Sequence, residues 1–336
     1  MRRRDFIGLL GGVAGALTCA DVFAAQKSRI ARIGLLSVSP FDTECKSLRA
    51  DAYRDPPCWL LSDLRALGWR EGENLQIEMR LGNDDPASLP RLAAELVALQ
   101  PDVLIGPGST DAKALQAATS DIPIVFLNSS DPVGYGLVDS IARPGKNITG
   151  TAIAPQILWG KRLELLMELL GHRPAKIAWL NNPEEVSTKL NERAVMWSAE
   201  KLGIEVERWQ VRKPDDLGGV FANASGSEAV LVQFVALTIN HRQQIADLAA
   251  RYRLPAIYEN QGFVVDGGLI SYGTDPRETW RKSLTYVDRI LRGAQPKDLP
   301  VEQASKFVLT INLKAASALG INVPQMLLGR ADEVIE

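Results

Sequence analysis

From Arg29 onward, short runs that are apolar from end to end alternate with longer amphipathic stretches, and this alternation limits the fold more than any other feature. ARIGLLS, DVLIGPG and IPIVFLNSS carry hydrophobic residues at successive positions, so both faces of each strand must be covered. CWLLSDLRALGW, SLPRLAAELVALQ and TDAKALQAATS fall between them with Leu and Ala at helical spacing, and NLQIEMRL adds a strand of period two. Parallel strands flanked by helices follow from this pattern.

A second set follows NITGTAI. It reads as helix ILWGKRLELLMELL, strand KIAWLNN, helix TKLNERAVMWSAEKLG, strands EVERWQV and AVLVQF, helix INHRQQIADLAARYR and strand LPAIYEN. GLISYGTD, the long helix PRETWRKSLTYVDRILRG, QASKFVLTINL and a short helix ending at Gly320 complete it. Two such sets joined by several crossovers predict an α/β molecule of two lobes, each a parallel sheet flanked by helices, with a cleft between. The N-terminal lobe is expected at 29–150 plus 268–300 and the C-terminal lobe at 151–267 plus 301–336, with crossings near Gly150, Gly267 and Pro300.

The first 25 residues read differently. Arg2-Arg3-Arg4 runs into Asp5-Phe6-Ile7 and GLLGGVAGAL, then reaches a small-residue exit at Val22-Phe23-Ala24-Ala25. A basic head, an apolar middle too short to span a bilayer and a small-residue exit predict an export signal over 1–25, of the twin-arginine type, with the periplasm as destination. A buried helix there would leave three arginines to solvate beside an apolar face. No later run is apolar enough to cross a membrane, so the mature chain is expected to be soluble and monomeric. The formal charge of −2 becomes more negative once the Arg triplet leaves, which argues against nucleic acid as partner. Cys45 and Cys58 survive processing and stand either as a disulfide across a short loop or as two free thiols.

Material for catalysis is thin. His172 and His241 stand alone, without HExxH or CxxC, so neither a metal nor another cofactor is expected. Gly106-Pro107-Gly108-Ser109-Thr110 follows a strand and opens a helix, a geometry that favours phosphate or carboxylate, yet it lacks the Lys of a phosphate loop. Ligands of open parallel sheets sit beyond the carboxyl ends of the strands. Those ends carry Ser37 and Ser39; Ser109 and Thr110; Asn128, Ser129, Ser130 and Asp131; Asn181 and Asn182; Gln233; Glu259 and Asn260; Tyr272 and Thr274. Such hydroxyls and amides orient a small polar ligand without attacking it, although the same residues also serve as turn formers and helix caps. Trp159 is a candidate stacking residue and equally a core aromatic. For an amino acid, Ser109 at the helix start is the expected carboxylate anchor. Glu259 is the expected partner of the ammonium, with Asp131 behind it.

Taken together, LRALGWREGENLQIEMR, LPRLAAELVALQPDVLIGPG, IPIVFLNSSDPVGYGLVDSIARPGKNITG, LWGKRLELLMELL, LPAIYENQGFVVDGGLISYG and VEQASKFVLTINLKAASALGINVP make the chain resemble the substrate-binding proteins of ABC importers of the tryptophan type. The resemblance implies a type I periplasmic-binding fold whose lobes close on an amino acid or other small carboxylate, with an ABC permease and its ATPase as partners. The segment SPFDTECKSLRADAYRDPPCWLL is longer than the usual first helix, and Val232-Gln233-Phe234-Val235-Ala236 stands where an Asp-Pro-Phe stretch is more usual. A sensor for a membrane kinase and an α/β enzyme are the rival readings.

Overall fold

The computed structural model describes residues 30–39, 56–83, 85–153, 155–223 and 226–336; the signal read at 1–25 and the Cys45–Cys58 pairing lie outside the described residues. The chain begins with β1 (Ala31–Ser37), α1 (Pro56–Ala66), β2 (Leu75–Leu81), α2 (Leu89–Ala98), β3 (Val103–Gly106), α3 (Ser109–Ala118), β4 (Ile124–Ser129) and β5 (Ile148–Ala152). It crosses to a second lobe made of α4 (Pro155–Leu170), β6 (Lys176–Asn181), α5 (Val186–Leu202), β7 (Glu205–Gln210), α6 (Asp216–Ala222), β8 (Ala229–Val232), α7 (Ala236–Asn240), α8 (Arg242–Arg251), β9 (Ala256–Tyr258), α9 (Gln261–Val265) and β10 (Ile270–Thr274). Then α10 (Pro276–Leu291) and β11 (Glu302–Gln303) return to the first lobe. The strand β12 (Phe307–Asn312), α11 (Leu313–Leu319), α12 (Gln325–Leu328) and β13 (Glu333–Ile335) finish the second.

The first sheet has the order β11-β5-β4-β3-β1-β2, and all of its pairings are parallel. The second has the order β13-β12-β10-β9-β8-β6-β7, parallel except where β12 runs against β10. The orders β2-β1-β3-β4-β5 and β7-β6-β8-β9-β10 are the same winding used twice, as the repeated alternation in the sequence leads one to expect. Each sheet is packed on both faces. Leu60, Leu64, Leu284 and Val287 cover one face of the first, and Leu92, Leu96, Ala112 and Leu115 the other. Leu163, Leu166 and Val195 cover one face of the second, and Phe221, Ile245 and Phe263 the other. Each fully buried side chain of this size stabilises by roughly 1.5–3 kcal/mol relative to an exposed one, which is why an apolar run can serve only as a two-sided strand.

The pairings move the lobe boundaries expected from sequence. Ile270–Thr274 joins Ile257 and Tyr258 on one side and Phe307–Ile311 on the other, so it belongs to the second sheet and the crossing falls after Thr274 rather than at Gly267. Likewise Glu302 and Gln303 pair with Thr151 and Ala152, so the last crossing follows Gln303. The helix stretch expected at INHRQQIADLAARYR is broken at His241, which separates α7 from α8. Two glycines permit close approaches near the cleft. A Cβ on Gly273 would stand 1.8 Å from the Glu259 carbonyl oxygen, and one on Gly106 would stand 2.7 Å from the Ala112 nitrogen.

Candidate functional site

The carboxyl ends of β1, β3 and β4 in one lobe face those of β6, β8 and β9 in the other. Between them lies a cavity of about 180 Å³. The first lobe contributes Ser37, Ser39, Ser109, Thr110, Asn128, Tyr135 and Trp280, and the second contributes Glu185, Ser187, Gln233, Phe234, Ile239 and Glu259. Polar contacts cross the gap. Asn240 Nδ2 donates to Ser39 Oγ at 3.4 Å, Glu185 reaches the Thr110 side chain, and Tyr135 reaches Ser187.

On the first lobe, the site is built around the start of α3. Asp111, in the first turn of that helix, is buried and accepts from the Val38 nitrogen at 2.8 Å and from the Gly108 nitrogen at 3.0 Å. Burial pushes its carboxyl up to about 7 against the opposing pull of those two amides. Ser109 Oγ donates to Ser129 Oγ at 2.9 Å, so Ser129 lies behind the wall and orients Ser109. Asn128 has φ 54°, a left-handed conformation that Asn tolerates better than most residues, and sits where the β4–β5 register shifts. Its Oδ1 is buried without a hydrogen-bond partner. Such local strain at the end of a strand is characteristic of sites where a side chain is re-aimed.

On the second lobe, Glu259 Oε1 accepts from the Phe234 nitrogen at 2.8 Å, and Oε2 stands 3.2 Å from Arg162 Nη1. Arg162 is itself buried, donates through Nε to the Tyr272 carbonyl at 2.8 Å and lies over the Trp159 ring at 4.7 Å. Desolvation raises the Glu259 pKa while Arg162 and the Phe234 amide lower it, and the balance stays above the usual carboxylate range. Glu185, which precedes α5, is also shifted upward by burial, with Thr110 acting against the shift. Gln233 follows β8, is 1% exposed and has an Nε2 without a partner.

Of the positions singled out in sequence, Ser37, Ser39, Ser109, Thr110, Asn128, Ser130, Gln233 and Glu259 line the cavity. The others do not. Trp159 is fully buried in the second-lobe core, edge-on to Trp179 at 6.4 Å, because its turn of α4 faces the sheet. Asp131 closes a turn by accepting from the Gly134 nitrogen at 2.7 Å. Asn181 turns back to donate to the Trp179 carbonyl at 2.9 Å, and Tyr272 packs against the second-lobe core beside Phe307. Sequence reasoning missed Asp111, Tyr135, Glu185, Ser187, Phe234 and Trp280. Glu185 was within reach of the strand-end rule, three residues beyond Asn182. Trp280 left no local signal, since α10 comes from the far end of the chain.

Two lobes with the same winding, three crossings and a polar cleft at facing strand ends define a two-lobed solute-binding protein of the type I periplasmic-binding fold. The model of the ABC transporter substrate binding protein family matches residues 59–335, and the chain belongs to that family. It is 27% identical over 253 residues to a tyrosine-binding protein of Clostridioides difficile, covering 75% of this chain and 72% of the relative. A conserved domain protein from Vibrio cholerae superposes with a TM-score of 0.82 at 29% identity, covering 91% of this chain and 100% of the other. The ABC domain from Streptococcus pneumoniae in complex with L-Trp gives 0.82 at 24% identity, covering 91% and 99%. Among the described residues no helix is long and apolar enough to cross a membrane.

Proposed function

We propose that the protein captures an amino acid with an aromatic or comparably apolar side chain, closes its lobes around it and hands it to an ABC permease in the inner membrane, without chemical conversion. The polar atoms that the fold leaves unpaired at the cavity wall carry this reading. Asn128 Oδ1 on one lobe and the Gln233 amide on the other are buried groups that a ligand would satisfy. Trp280, Phe234 and Ile239 supply an apolar wall for a side chain. The N–H groups at the start of α3 beside Ser109 favour a carboxylate, and Glu259 with Gln233 faces the ammonium. Two similar proteins, one named as tyrosine-binding and one solved in complex with L-Trp, support an aromatic amino acid. The Ser37 and Ser109 hydroxyls have no histidine beside them among the described cavity residues, which supports binding over hydrolysis. Export to the periplasm rests on the sequence of residues 1–25.

Calorimetric titration with L-tyrosine and L-tryptophan, paired with small-angle scattering, tests the reading. Saturable binding with a decrease in radius of gyration is expected. No heat from either amino acid together with an unchanged radius overturns it.

A further inference from the structure

An amino acid offers this cleft two charged ends, and the cavity walls are not built equally for both. Among the described residues no Lys, Arg or His lines the cavity, whereas Asp111, Glu185 and Glu259 do. Arg162, which contacts Glu259, lies behind it in the core rather than on the cavity wall. The start of α3, where an anion would gather, already serves two of the protein's own carboxyls. Asp111 takes the Gly108 N–H, and Glu185 reaches across the cleft to Thr110.

Gln233 supplies an independent indication. Thr188 Oγ1 stands 2.6 Å from the Asn182 carbonyl oxygen and 2.8 Å from Gln233 Oε1, two acceptors for a hydroxyl with one proton. The carbonyl can only accept, so the shorter contact takes the proton and the hydroxyl is left as an acceptor toward Gln233. A half-turn of the terminal amide, whose oxygen and nitrogen are interchangeable in shape, satisfies both groups: Nε2 donates to Thr188 and Oε1 turns to the position of the atom that otherwise has no partner. Gln233, 1% exposed, then presents an acceptor to the cavity. It stands beside Glu259, which the Phe234 amide holds in place, and across the cleft from the unpartnered Asn128 Oδ1.

We propose that this cleft recognises its ligand through a positively charged nitrogen, with Gln233 Oε1 and Glu259 as its acceptors, and that the ligand's carboxylate is the dispensable end. The proposal rests on the amino-acid reading above and ranks its two anchors. A bound carboxylate without an ammonium would place a fourth acidic group among three, with no cation on the described wall, whereas an amine meets three carboxyls and the Gln233 oxygen.

The test compares three probes built on each ring: the amino acid (L-tyrosine, L-tryptophan), the amine lacking the carboxylate (tyramine, tryptamine) and the acid lacking the amine (3-(4-hydroxyphenyl)propionate, indole-3-propionate). Calorimetry on the purified protein at neutral pH should show the amine within about a hundredfold of the amino acid, and the acid weaker by on the order of a thousandfold or more. Gln233→Glu should retain amine binding, and Gln233→Lys should abolish it while circular dichroism shows an intact fold. An acid that binds within tenfold of the amino acid while the amine fails overturns the proposal and leaves the amino-acid reading standing. Binding of an amine when neither amino acid binds supports the proposal and ends that reading. Silence from all six probes overturns both.

Discussion

Arg162 Nη1 stands 3.2 Å from Glu259 Oε2 with the two side chains 1% and 7% exposed, so a group on the cavity wall is electrically tied to the core of the second lobe. The guanidinium is stacked over Trp159 and its Nε donates to the Tyr272 carbonyl, but Nη1 makes no hydrogen bond. The pair therefore holds Glu259 in position more than it stabilises the fold, since removing two ions from water roughly offsets their attraction.

Breaking the pair from one side should be severe. Arg162→Met leaves a buried carboxylate uncompensated and should destabilise by about 3–5 kcal/mol in urea unfolding, while the double change with Glu259→Gln should recover most of that loss. Ligand affinity should not recover in the double variant, because the carboxylate facing the cavity is gone. Recovery of both stability and affinity would show that Glu259 has no part in binding.

Asn128→Gly separates stability from binding. Glycine accepts the left-handed backbone at φ 54° without strain but has more freedom to lose on folding, so stability should stay within about 1 kcal/mol of the parent. The Oδ1 acceptor disappears, and affinity should fall by about 1 kcal/mol, or roughly fivefold. Equal affinities by calorimetry would remove Asn128 from the site.

The contribution of Asp111 to stability should decline as pH rises from about 4 to 7. Burial raises the Asp111 pKa to about 7 from 3.8, so across that window the folded chain holds a proton that the unfolded chain has released. The contribution is fully present below the unfolded value and is lost as pH passes through the folded one. Glu185 and Glu259 shift in the same direction through burial. Across this range the urea midpoint of the parent should fall relative to that of Asp111→Asn; parallel curves would count against a raised Asp111.

Export can be tested on the precursor. Replacing Arg3 and Arg4 by Lys should leave unprocessed protein in the cytoplasm, because the twin-arginine route reads the guanidinium pair rather than charge alone. A normal periplasmic yield in fractionation would assign the chain to the general secretory route.

The sequence by itself determined most of the strands and helices and their grouping into two parallel-sheet sets. End-to-end apolar runs such as DVLIGPG can be satisfied only by strands covered on both faces, and β3 with its neighbours takes that place. It also marked the strand ends, because a polar residue just past a buried strand has a known direction; Ser37, Ser109, Asn128, Gln233 and Glu259 were legible for that reason. Which face of a helix meets the cleft was not legible, since it depends on how far the helix has rotated and on what packs against it. Trp159 and Trp280 both lie on helices of 16 residues, yet α4 turns its tryptophan into the second-lobe core, while the tryptophan of α10 reaches the cavity. Tertiary structure alone brought Glu185 of one lobe opposite Thr110 of the other and placed the crossings after Thr274 and Gln303. These are contacts between segments far apart in the chain, where local propensity carries no information and only the joint packing of two sheets decides.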